Sequence, residues 1–440
     1  MPMSTVLRPA HDAKLPVLSQ EALGQISTII AALLLTVLLI SFRPFQPVQP
    51  ELPGGGGDIV NQLGFGMVGV AALCSLLMLT DRRITLALLS PWWLLLFGFL
   101  GLSVLNTPVP SDTMRSAAFS IIGIMTVGAV LALPRDADAF SRVLAFAGLA
   151  VLGLSYLGLV ALPAKAIHQA GEVEWQHAGL WRGVFTHKNI AGPVMANLSF
   201  AGIYLWRRGW RTSGGVIYVL AIVFVLNSGS KTAAATVAVA TFLVMFPGLF
   251  GLRFLTPLLF LASLCLIAVA TLGTVFIEPV RQLAQLLPDP TYTGRTSIWA
   301  FAGEMIAKRP WTGYGFENFW GTGLVLNSDV YFDQDWDIRG VVHSHDSYLD
   351  LALTMGLPAL MIAVITFALV PARDYMRVRS CREDVLLADF FMMIIVFTMF
   401  NAFLESFFFR RVDPVWMLFA LALLGLRLAA RFPISSRGAK

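Results

Sequence analysis

Apolar runs of about 20 residues follow one another along this chain of 440 residues, and they restrict its fold more than any other feature. A helix of that length crosses the roughly 30 Å hydrocarbon core of a bilayer. Charged residues make up only 13% of the sequence, about half of the ~25% that is usual in soluble proteins. The pattern therefore predicts an all-α, polytopic membrane protein.

The apolar runs predict about twelve transmembrane helices, and the polar stretches between them divide the chain into five regions. The twelve runs are Leu23–Phe42, Ile59–Thr80, Thr85–Leu105, Ser116–Leu133, Phe140–Leu162, Ile190–Trp206, Val216–Leu226, Ala233–Leu249, Phe254–Phe276, Tyr348–Leu369, Leu386–Phe403 and Val415–Leu428. The five regions are an N-terminal segment (residues 1–22), spans one to nine (23–276), a large polar loop (277–347), spans ten to twelve (348–428) and a C-terminal tail (429–440).

Positive charge predicts the orientation of these spans. Four arginine-rich clusters fall in short loops or in the tail, and with twelve spans all four lie on the same side as both termini. The clusters are Arg82–Arg83, Arg207–Arg211, Arg373–Arg382 and Arg427–Lys440. Since short cytoplasmic loops carry an excess of Lys and Arg, this side is expected to be cytoplasmic. The net charge of +5 has the same origin and does not indicate a nucleic-acid-binding protein.

Two longer polar loops, residues 163–189 and 277–347, are expected on the opposite, outer side. The second is too long to be a simple connection between two helices. It contains a helix-like stretch, Thr296–Lys308, which Pro310 ends, and then the glycine- and aromatic-rich segment Trp311–Trp320. The aromatic rings of that segment are candidates either for contacts with sugar rings or for a core within the loop.

Five of the six histidines fall in the outer loops, and His343 and His345 stand out because they directly precede the tenth span. His345 is expected near the positive end of that helix dipole, which favours the neutral imidazole that can accept a proton. Asp346 is expected either to orient the ring or to cap the helix. A structural alternative stays open, in which Ser344 or Asp346 caps the helix and the histidines only anchor it at the membrane surface.

Three cations in polar segments are candidates for binding an anion. Arg182 precedes the sixth span, Arg295 precedes the helix of the large loop, and Lys231 lies in a Ser-Gly-Ser-Lys-Thr turn. A guanidinium fork suits phosphate oxygens and keeps its charge at any working pH. Nonspecific attraction to lipid headgroups is the simpler alternative for each cation taken alone.

The sequence predicts neither a metal nor a cofactor. The alternating acids of Asp333–Asp337 resemble the start of a calcium-binding EF-hand loop, but Ile338 and Ser344 occupy the positions that require Gly and Glu. His343 and His345, two residues apart, do not make a convincing zinc site alone. No nucleotide-binding fingerprint is present.

Several segments, in this order along the chain, resemble the Wzy/WaaL superfamily of bacterial O-antigen polymerases and ligases, and are most similar to its exopolysaccharide polymerase branch of ExoQ type. The segments that carry the resemblance are Arg182–Gly192, Gly294–Trp299 with Pro310–Gly315, and His343–Gly356. Two positions depart from the ligase pattern. Asp346 replaces the usual amide or hydroxyl, and Ala359 stands where Gly, Thr or Tyr is usual.

The resemblance implies a GT-C type glycosyltransferase of the bacterial inner membrane, with its active site facing the periplasm. Its donor would be a sugar chain on undecaprenyl diphosphate. Its acceptor would be a hydroxyl of another lipid-linked repeat for a polymerase, or of lipid A-core for a ligase, and a chain-length regulator is a further candidate partner. The reaction would invert the anomeric centre in one displacement, without a metal.

The resemblance also assigns roles to individual residues. His345 would be the general base, with His343 and Asp346 beside it. The expected diphosphate- and substrate-binding residues are Arg182, Lys188, Asn189, Lys231 and Arg295. A membrane transporter is the alternative from another class, but it would need ionisable groups within the spans, where Asp389 is the clearest example.

Overall fold

The structure is a computed structural model, and it describes residues 19–46, 58–172, 175–286, 291–292, 294–317, 319–328 and 338–433. These parts of the chain are built from helices and contain no β-strand, although an isolated antiparallel bridge joins Ile167 to Trp181. The all-α class is therefore confirmed. The acidic segment Asp333–Asp337, most of the N-terminal segment and most of the C-terminal tail lie outside the described residues.

The helices of the first part of the chain are long and closely spaced. They are α1 (Gln20–Ile40), α2 (Ile59–Met78), α3 (Arg82–Leu88), α4 (Pro91–Leu105), α5 (Pro110–Ala132), α6 (Ala137–Ala161), α7 (Pro163–Ala166), α8 (Lys188–Arg207), α9 (Arg211–Asn227), α10 (Lys231–Leu249) and α11 (Leu255–Thr271).

The second part of the chain mixes short loop helices with long ones. They are α12 (Gly273–Phe276), α13 (Glu278–Ala284), α14 (Arg295–Lys308), α15 (Gly323–Leu326), α16 (Ser347–Met355), α17 (Leu357–Val364), α18 (Val370–Arg377), α19 (Arg382–Asn401) and α20 (Pro414–Ala429). A π-helical turn, Ile365–Leu369, joins α17 to α18, and short 3₁₀ turns occur at Trp175–His177 and Ile338–Gly340.

Aspartate side chains start many of these helices. Each accepts a hydrogen bond from a backbone N–H of the first turn, which satisfies a donor that the helix itself leaves unpaired. The capping residues are Asp58, Asp81, Asp136, Asp346 and Asp413. Polar residues at the ends of the apolar runs therefore fix where the helices begin.

Every predicted span falls on a helix or on a set of consecutive helices. This correspondence does not show how many of the helices cross the membrane. Within the described residues, six helices are long and apolar enough to cross a bilayer, or seven if the bent pair α3 and α4 forms one span. The count of about twelve stays a prediction. The third span is not continuous as predicted, because α3 and α4 meet at an angle of 57°.

The predicted tenth span is also broken, and the cause is Gly356. This residue separates α16 from α17 and has a φ of 85°. A Cβ atom here would lie 2.4 Å from the carbonyl oxygen of Trp311. The backbone of the large loop thus occupies the space beside the break, and the expectation of one continuous helix over residues 348–369 was wrong.

Charged residues from several short loops meet at one end of α8. Arg207 lies 2.8 Å from Asp389, and the same carboxylate lies 3.0 Å from Arg253. Arg208 pairs with Asp138 at 3.0 Å and with Glu383 at 2.6 Å. These loops were predicted to share one side of the membrane, and the structure brings them together.

The large loop folds onto α16. Its helix α14 corresponds to the predicted stretch, and the backbone N–H groups of Tyr314 and Gly315 donate to the carbonyls of Leu353 (2.8 Å) and Thr354 (3.0 Å). Trp299 and Phe319 are buried in a core that α14 shares with α16. The loop is thereby held against the helix whose first turn follows the two histidines.

Candidate active site

The loop that carries His343 and His345 is anchored by Asp350, in the first turn of α16. The Asp350 carboxylate accepts hydrogen bonds from the Ser344 backbone N–H (3.1 and 3.2 Å), from Trp320 Nε1 (2.8 Å) and from the Ser406 hydroxyl. One side chain therefore joins the histidine loop, the large loop and the connection between α19 and α20.

Ser347 brings that connection, residues 402–413, even closer. Its backbone N–H donates to the Ala402 carbonyl and its hydroxyl to the Glu405 carbonyl, each at 2.8 Å. The backbone N–H of Phe407 donates back to the Ser347 hydroxyl at 2.8 Å. These bonds place the Glu405 side chain beside the histidines, 60 residues away in sequence from His345.

His345 has one ring nitrogen directed at Glu405. Its Nδ1 lies 3.4 Å from Glu405 Oε2. Because an ionised carboxylate can only accept, Nδ1 carries a hydrogen, and whenever the ring is neutral its lone pair is therefore on Nε2. The side chain is 30% exposed, so Nε2 is available to a proton from an incoming molecule. His345 also has a left-handed backbone with φ 54°.

His343 is held in the complementary tautomer. Its Nδ1 accepts the backbone N–H of His345 at 3.3 Å, and the two ring centroids are 4.1 Å apart. Burial lowers the pKa of His343 well below its ordinary value, and the positive charges of Arg410 and Arg295 lower it further. The ring is therefore neutral near pH 7, with Nε2–H as a donor.

Glu405 stays ionised between its partners. Burial opposes the charged form, but the hydrogen bond from His345, together with the positive charge of Arg295, lowers the pKa of Glu405 below its ordinary value. Its Oε1 lies 3.2 Å from Arg295 Nη2. The sequence prediction missed this carboxylate, which orients both the general-base candidate and one of the anion-binding candidates.

Arg410 was also missed. Its Nη1 makes a long 3.4 Å bond to the Ser406 carbonyl, and within the described residues no carboxylate lies within ion-pair distance of it. Arg295 pairs with Glu405 through one nitrogen, and its side chain is 23% exposed. Because both cations act on His343, the site combines a proton acceptor with positive charge that the protein does not fully neutralise.

Arg182 is placed differently from what the sequence suggested. Its side chain is 3% exposed, with Nη2 2.8 Å from Glu172 Oε1 and Nη1 3.2 Å from Oε2. Its Nε donates to the Lys165 carbonyl at 2.8 Å. Every nitrogen of the guanidinium is therefore used inside the 163–189 loop, and Arg182 holds that loop rather than facing an open cavity.

His168 and His187 connect the same loop to the site. Nδ1 of His168 lies 2.9 Å from Glu172, and its Nε2 accepts the Lys188 backbone N–H at 3.2 Å. His187 caps α8 by accepting the backbone N–H of Asn189 at 3.1 Å. His187 is close enough to interact electrostatically with both His343 and Glu405, so the start of α8 lies near the histidine pair.

Lys231 is exposed at the start of α10, and its turn packs on the 163–189 loop. The backbone N–H of Trp181 donates to the Asn227 carbonyl at 3.1 Å. Gly192 faces Ser230, whose Cβ would lie 2.7 Å from a Cβ at Gly192. The structure thus brings the Lys231 turn to the beginning of α8, together with Lys188 and Asn189.

Asp346 caps α16 rather than orienting a histidine ring. Its Oδ1 accepts the backbone N–H groups of Tyr348 and Leu349, each at 2.9 Å. Its Oδ2 is buried without a hydrogen-bond partner, and burial raises the pKa of this carboxyl well above its ordinary value. Of the two roles left open for Asp346, the structure shows the cap.

The aromatic segment of the large loop forms a core. Tyr314, Phe316 and Phe319 are all buried, and Trp320 donates its ring N–H to Asp350. The first three therefore have no face available to a sugar ring. They support the loop that covers α16.

His343, His345 and Glu405 could also hold a metal ion, because one ligand atom from each lies within 4.8 Å of the others. Several contacts disfavour this use. Nδ1 of His343 already accepts a backbone N–H, and Glu405 is shared between His345 and Arg295. Arg295 and Arg410 would repel a divalent cation at this site. The arrangement fits a hydrogen-bonded acid–base group better than a metal centre.

Comparison with known families gives one match that covers part of this site. Residues 214–364 match the model of the Wzy_C family, described as O-antigen ligase. The match supports membership of the Wzy/WaaL superfamily. Together with the apolar helices, it indicates a membrane protein. Similarity to the ExoQ-type branch stays a prediction, and no curated protein matches the chain.

The Wzy_C match covers about a third of the chain, from α9 to α17. It includes Arg295, the Gly313–Gly315 segment and the two histidines. Arg182 and Glu405 lie outside the matched residues.

Proposed function

We propose that this chain is an inner-membrane glycosyltransferase that transfers an oligosaccharide from undecaprenyl diphosphate to a sugar hydroxyl. The observation that carries the proposal is the line of side chains Arg295, Glu405 and His345, which leaves Nε2 of His345 open. The Wzy_C match supports a role in O-antigen assembly, and the active site would face the periplasm.

The reaction needs one proton acceptor and one stabilised leaving group. Nε2 of His345 takes the proton of the acceptor hydroxyl as its oxygen attacks the anomeric carbon. The bond from that carbon to the diphosphate oxygen breaks, and undecaprenyl diphosphate leaves with the electron pair. One such displacement inverts the anomeric centre. General base catalysis of this kind contributes roughly 10²–10⁴-fold, and Glu405 stabilises the imidazolium that forms.

The negative charge that develops on the leaving diphosphate is stabilised by cations that are already positioned in the site. Arg295 and Arg410 serve here, since neither is fully neutralised by carboxylates in the described structure. His343 adds a neutral N–H donor. Lys188, Asn189 and Lys231, which meet at the start of α8, would contact the substrate, and Arg182 would position their loop through Glu172.

Polymerisation of repeat units is the first candidate reaction, and ligation to lipid A-core is the second, which the description of the matched family favours. A transporter is less consistent with the positions of the ionisable residues in the predicted spans. Asp389, the clearest ionisable group in a predicted span, is held by Arg207, Arg253 and the Tyr375 hydroxyl at one end of the bundle. A carboxylate neutralised in this way holds helices together, whereas a transporter needs an ionisable group near the midplane of the membrane that binds an ion or a proton.

Purified protein incubated with lipid-linked repeats tests the proposal. His345→Ala and Arg295→Ala are expected to abolish product while Arg281→Ala, which changes an exposed arginine of the same large loop, leaves it unchanged. Retained activity in both site variants would refute the mechanism. Chain growth without lipid A-core identifies a polymerase, and a strict requirement for the core identifies a ligase.

A further inference from the structure

A cavity of about 480 Å³ lies between the N-terminal parts of α1 and α6, at the other end of the bundle from the histidines. Arg208, at the end of α8, donates to the Ala137 carbonyl and pairs with Asp138, both in the first turn of α6. His187 caps the opposite end of α8, and a helix of 20 residues is about 30 Å long. The cavity is therefore separate from the proposed active site.

The walls of this cavity change from polar to apolar in the same direction. On α1 the lining residues run from Gln20 and Gln25 to Ile29 and Leu33. On α6 the cavity is lined by Arg142 and, one turn further on, by Phe146. Residues three or four apart lie on one face of a helix, so each helix contributes a polar end and an apolar end.

Two arginines mark the polar end. Arg135 is fixed across the start of α1, because its Nη1 donates to the Gln20 carbonyl at 2.6 Å and to the Gln20 side-chain oxygen at 3.2 Å. Arg142 is exposed and has no hydrogen-bond or ion-pair partner within the described residues. Glu21 and Asp136 also line the cavity, and the Asp136 carboxylate caps α6 through the Ala139 backbone N–H at 2.7 Å.

The apolar end opens to the surface of the helices. Ile29 is 59% exposed, Leu33 is 52% exposed and Phe146 is 51% exposed. In a helix predicted to span a bilayer, these side chains face hydrocarbon. The polar end lies beside Arg208, which belongs to one of the arginine clusters that the charge pattern assigns to a membrane surface.

We propose that this cavity is a binding site for a membrane glycerophospholipid, with the phosphodiester at Arg135 and Arg142 and one acyl chain along Ile29, Leu33 and Phe146. A volume of about 480 Å³ lies within the ~300–1,000 Å³ range of small-molecule sites. The two carboxylates give the polar end a mixed charge, which accepts a headgroup that carries an ammonium as well as one that does not. The phosphodiester is the shared chemistry.

The test counts lipid molecules that the full-length protein retains. Delipidated protein is mixed with phosphatidylethanolamine, phosphatidylglycerol or a phosphate-free diacylglycerol, and retained lipid is counted by native mass spectrometry. At least one of the two phospholipids is expected to be retained, and the diacylglycerol is not. Arg142→Ala removes the unpartnered cation and is expected to lower occupancy about fivefold. Gln25→Trp fills the cavity without changing charge and is expected to lower it as well.

Arg83→Ala is the matched control, because Arg83 is an exposed arginine outside the cavity lining, at the start of α3. Its occupancy is expected to equal that of the unchanged protein, and gel filtration confirms that each variant is folded. The proposal is overturned if Arg83→Ala loses as much lipid as Arg142→Ala, if Gln25→Trp retains full occupancy, or if the diacylglycerol binds as well as the phospholipids.

Discussion

Nδ1 of His345 lies 3.4 Å from one oxygen of the Glu405 carboxylate, whose other oxygen lies 3.2 Å from Arg295. The carboxylate thus connects the proposed base to the proposed anion-binding cation. It comes from the connection between α19 and α20, which Ser347 and Asp350 fasten to the histidine loop.

Glu405→Gln tests whether this carboxylate supports catalysis. The amide keeps the size of the side chain, but it cannot stabilise an imidazolium by charge, so kcat is expected to fall by about 10²–10⁴-fold. Steady-state kinetics with purified protein measures this, with thermal unfolding as the check on folding. A kcat within a factor of about two of the unchanged protein would remove Glu405 from the mechanism.

Arg410→Ala tests the cation that sequence reasoning missed. Removing its charge is expected to raise the KM for the lipid-linked donor and to lower kcat, because the leaving diphosphate gains charge in the transition state. Arg410→Lys keeps the charge without the fork and is expected to lose less. Arg281→Ala is the control. Equal kinetics for Arg410→Ala and the control would exclude Arg410 from diphosphate binding.

Arg182→Ala is expected to act through stability. The change removes one of the two partners of Glu172, which keeps only His168, and losing a hydrogen bond to a charged group costs roughly 1.5–3 kcal/mol. The double variant Arg182→Met with Glu172→Gln removes both charges and is expected to regain thermal stability and much of the activity. If stability returns while activity does not, Arg182 binds substrate after all.

Gly356→Ala is expected to loosen the large loop. The residue has a φ of 85°, and its new Cβ would lie 2.4 Å from the Trp311 carbonyl oxygen, so a cost of roughly 1–3 kcal/mol is expected. Limited proteolysis of the loop should become faster. Gly340→Ala meets open space without a left-handed backbone and serves as the control, and equal cleavage rates for the two variants would contradict this reading.

His343→Gln is expected to reduce the loss of folding stability that the protein shows as the pH falls. The lowered pKa of His343 means that the unfolded chain takes up a proton at a higher pH than the folded protein does. Stability is therefore lost as the pH falls below about 6.5, the ordinary value for histidine. Thermal unfolding between pH 7.5 and about 5 measures the slope. An unchanged slope in the variant would show that other groups dominate this range.

Patterns among residues close together in the sequence predicted the helices and part of the candidate site. Apolar runs fix the helices because burial or a bilayer must cover about 20 consecutive apolar residues. The proximity of His343 and His345 follows from their spacing. Arg295 was found because it opens the loop helix. These features depend on neighbours in sequence, so a single sequence contains them.

The parts that were missed depend on contacts between distant segments. Glu405 lies 60 residues from His345, in a short connection that offered no pattern except one carboxylate near two arginines. Arg182 was predicted to bind the diphosphate, because its pairing with Glu172 forms only after the loop between them folds back. The break at Gly356 needed the backbone of Trp311 to be in place. No local periodicity encodes such pairings.

α16 is a rod of only nine residues, about 13 Å long. One end carries the histidine loop through Asp346 and Asp350, and the other end meets the large loop at Gly356. Because α16 is short and is held at both ends, a tilt of the helix at one end also displaces the residues at its other end. A displacement of the large loop at Trp311 is therefore expected to change the orientation of His345 as well.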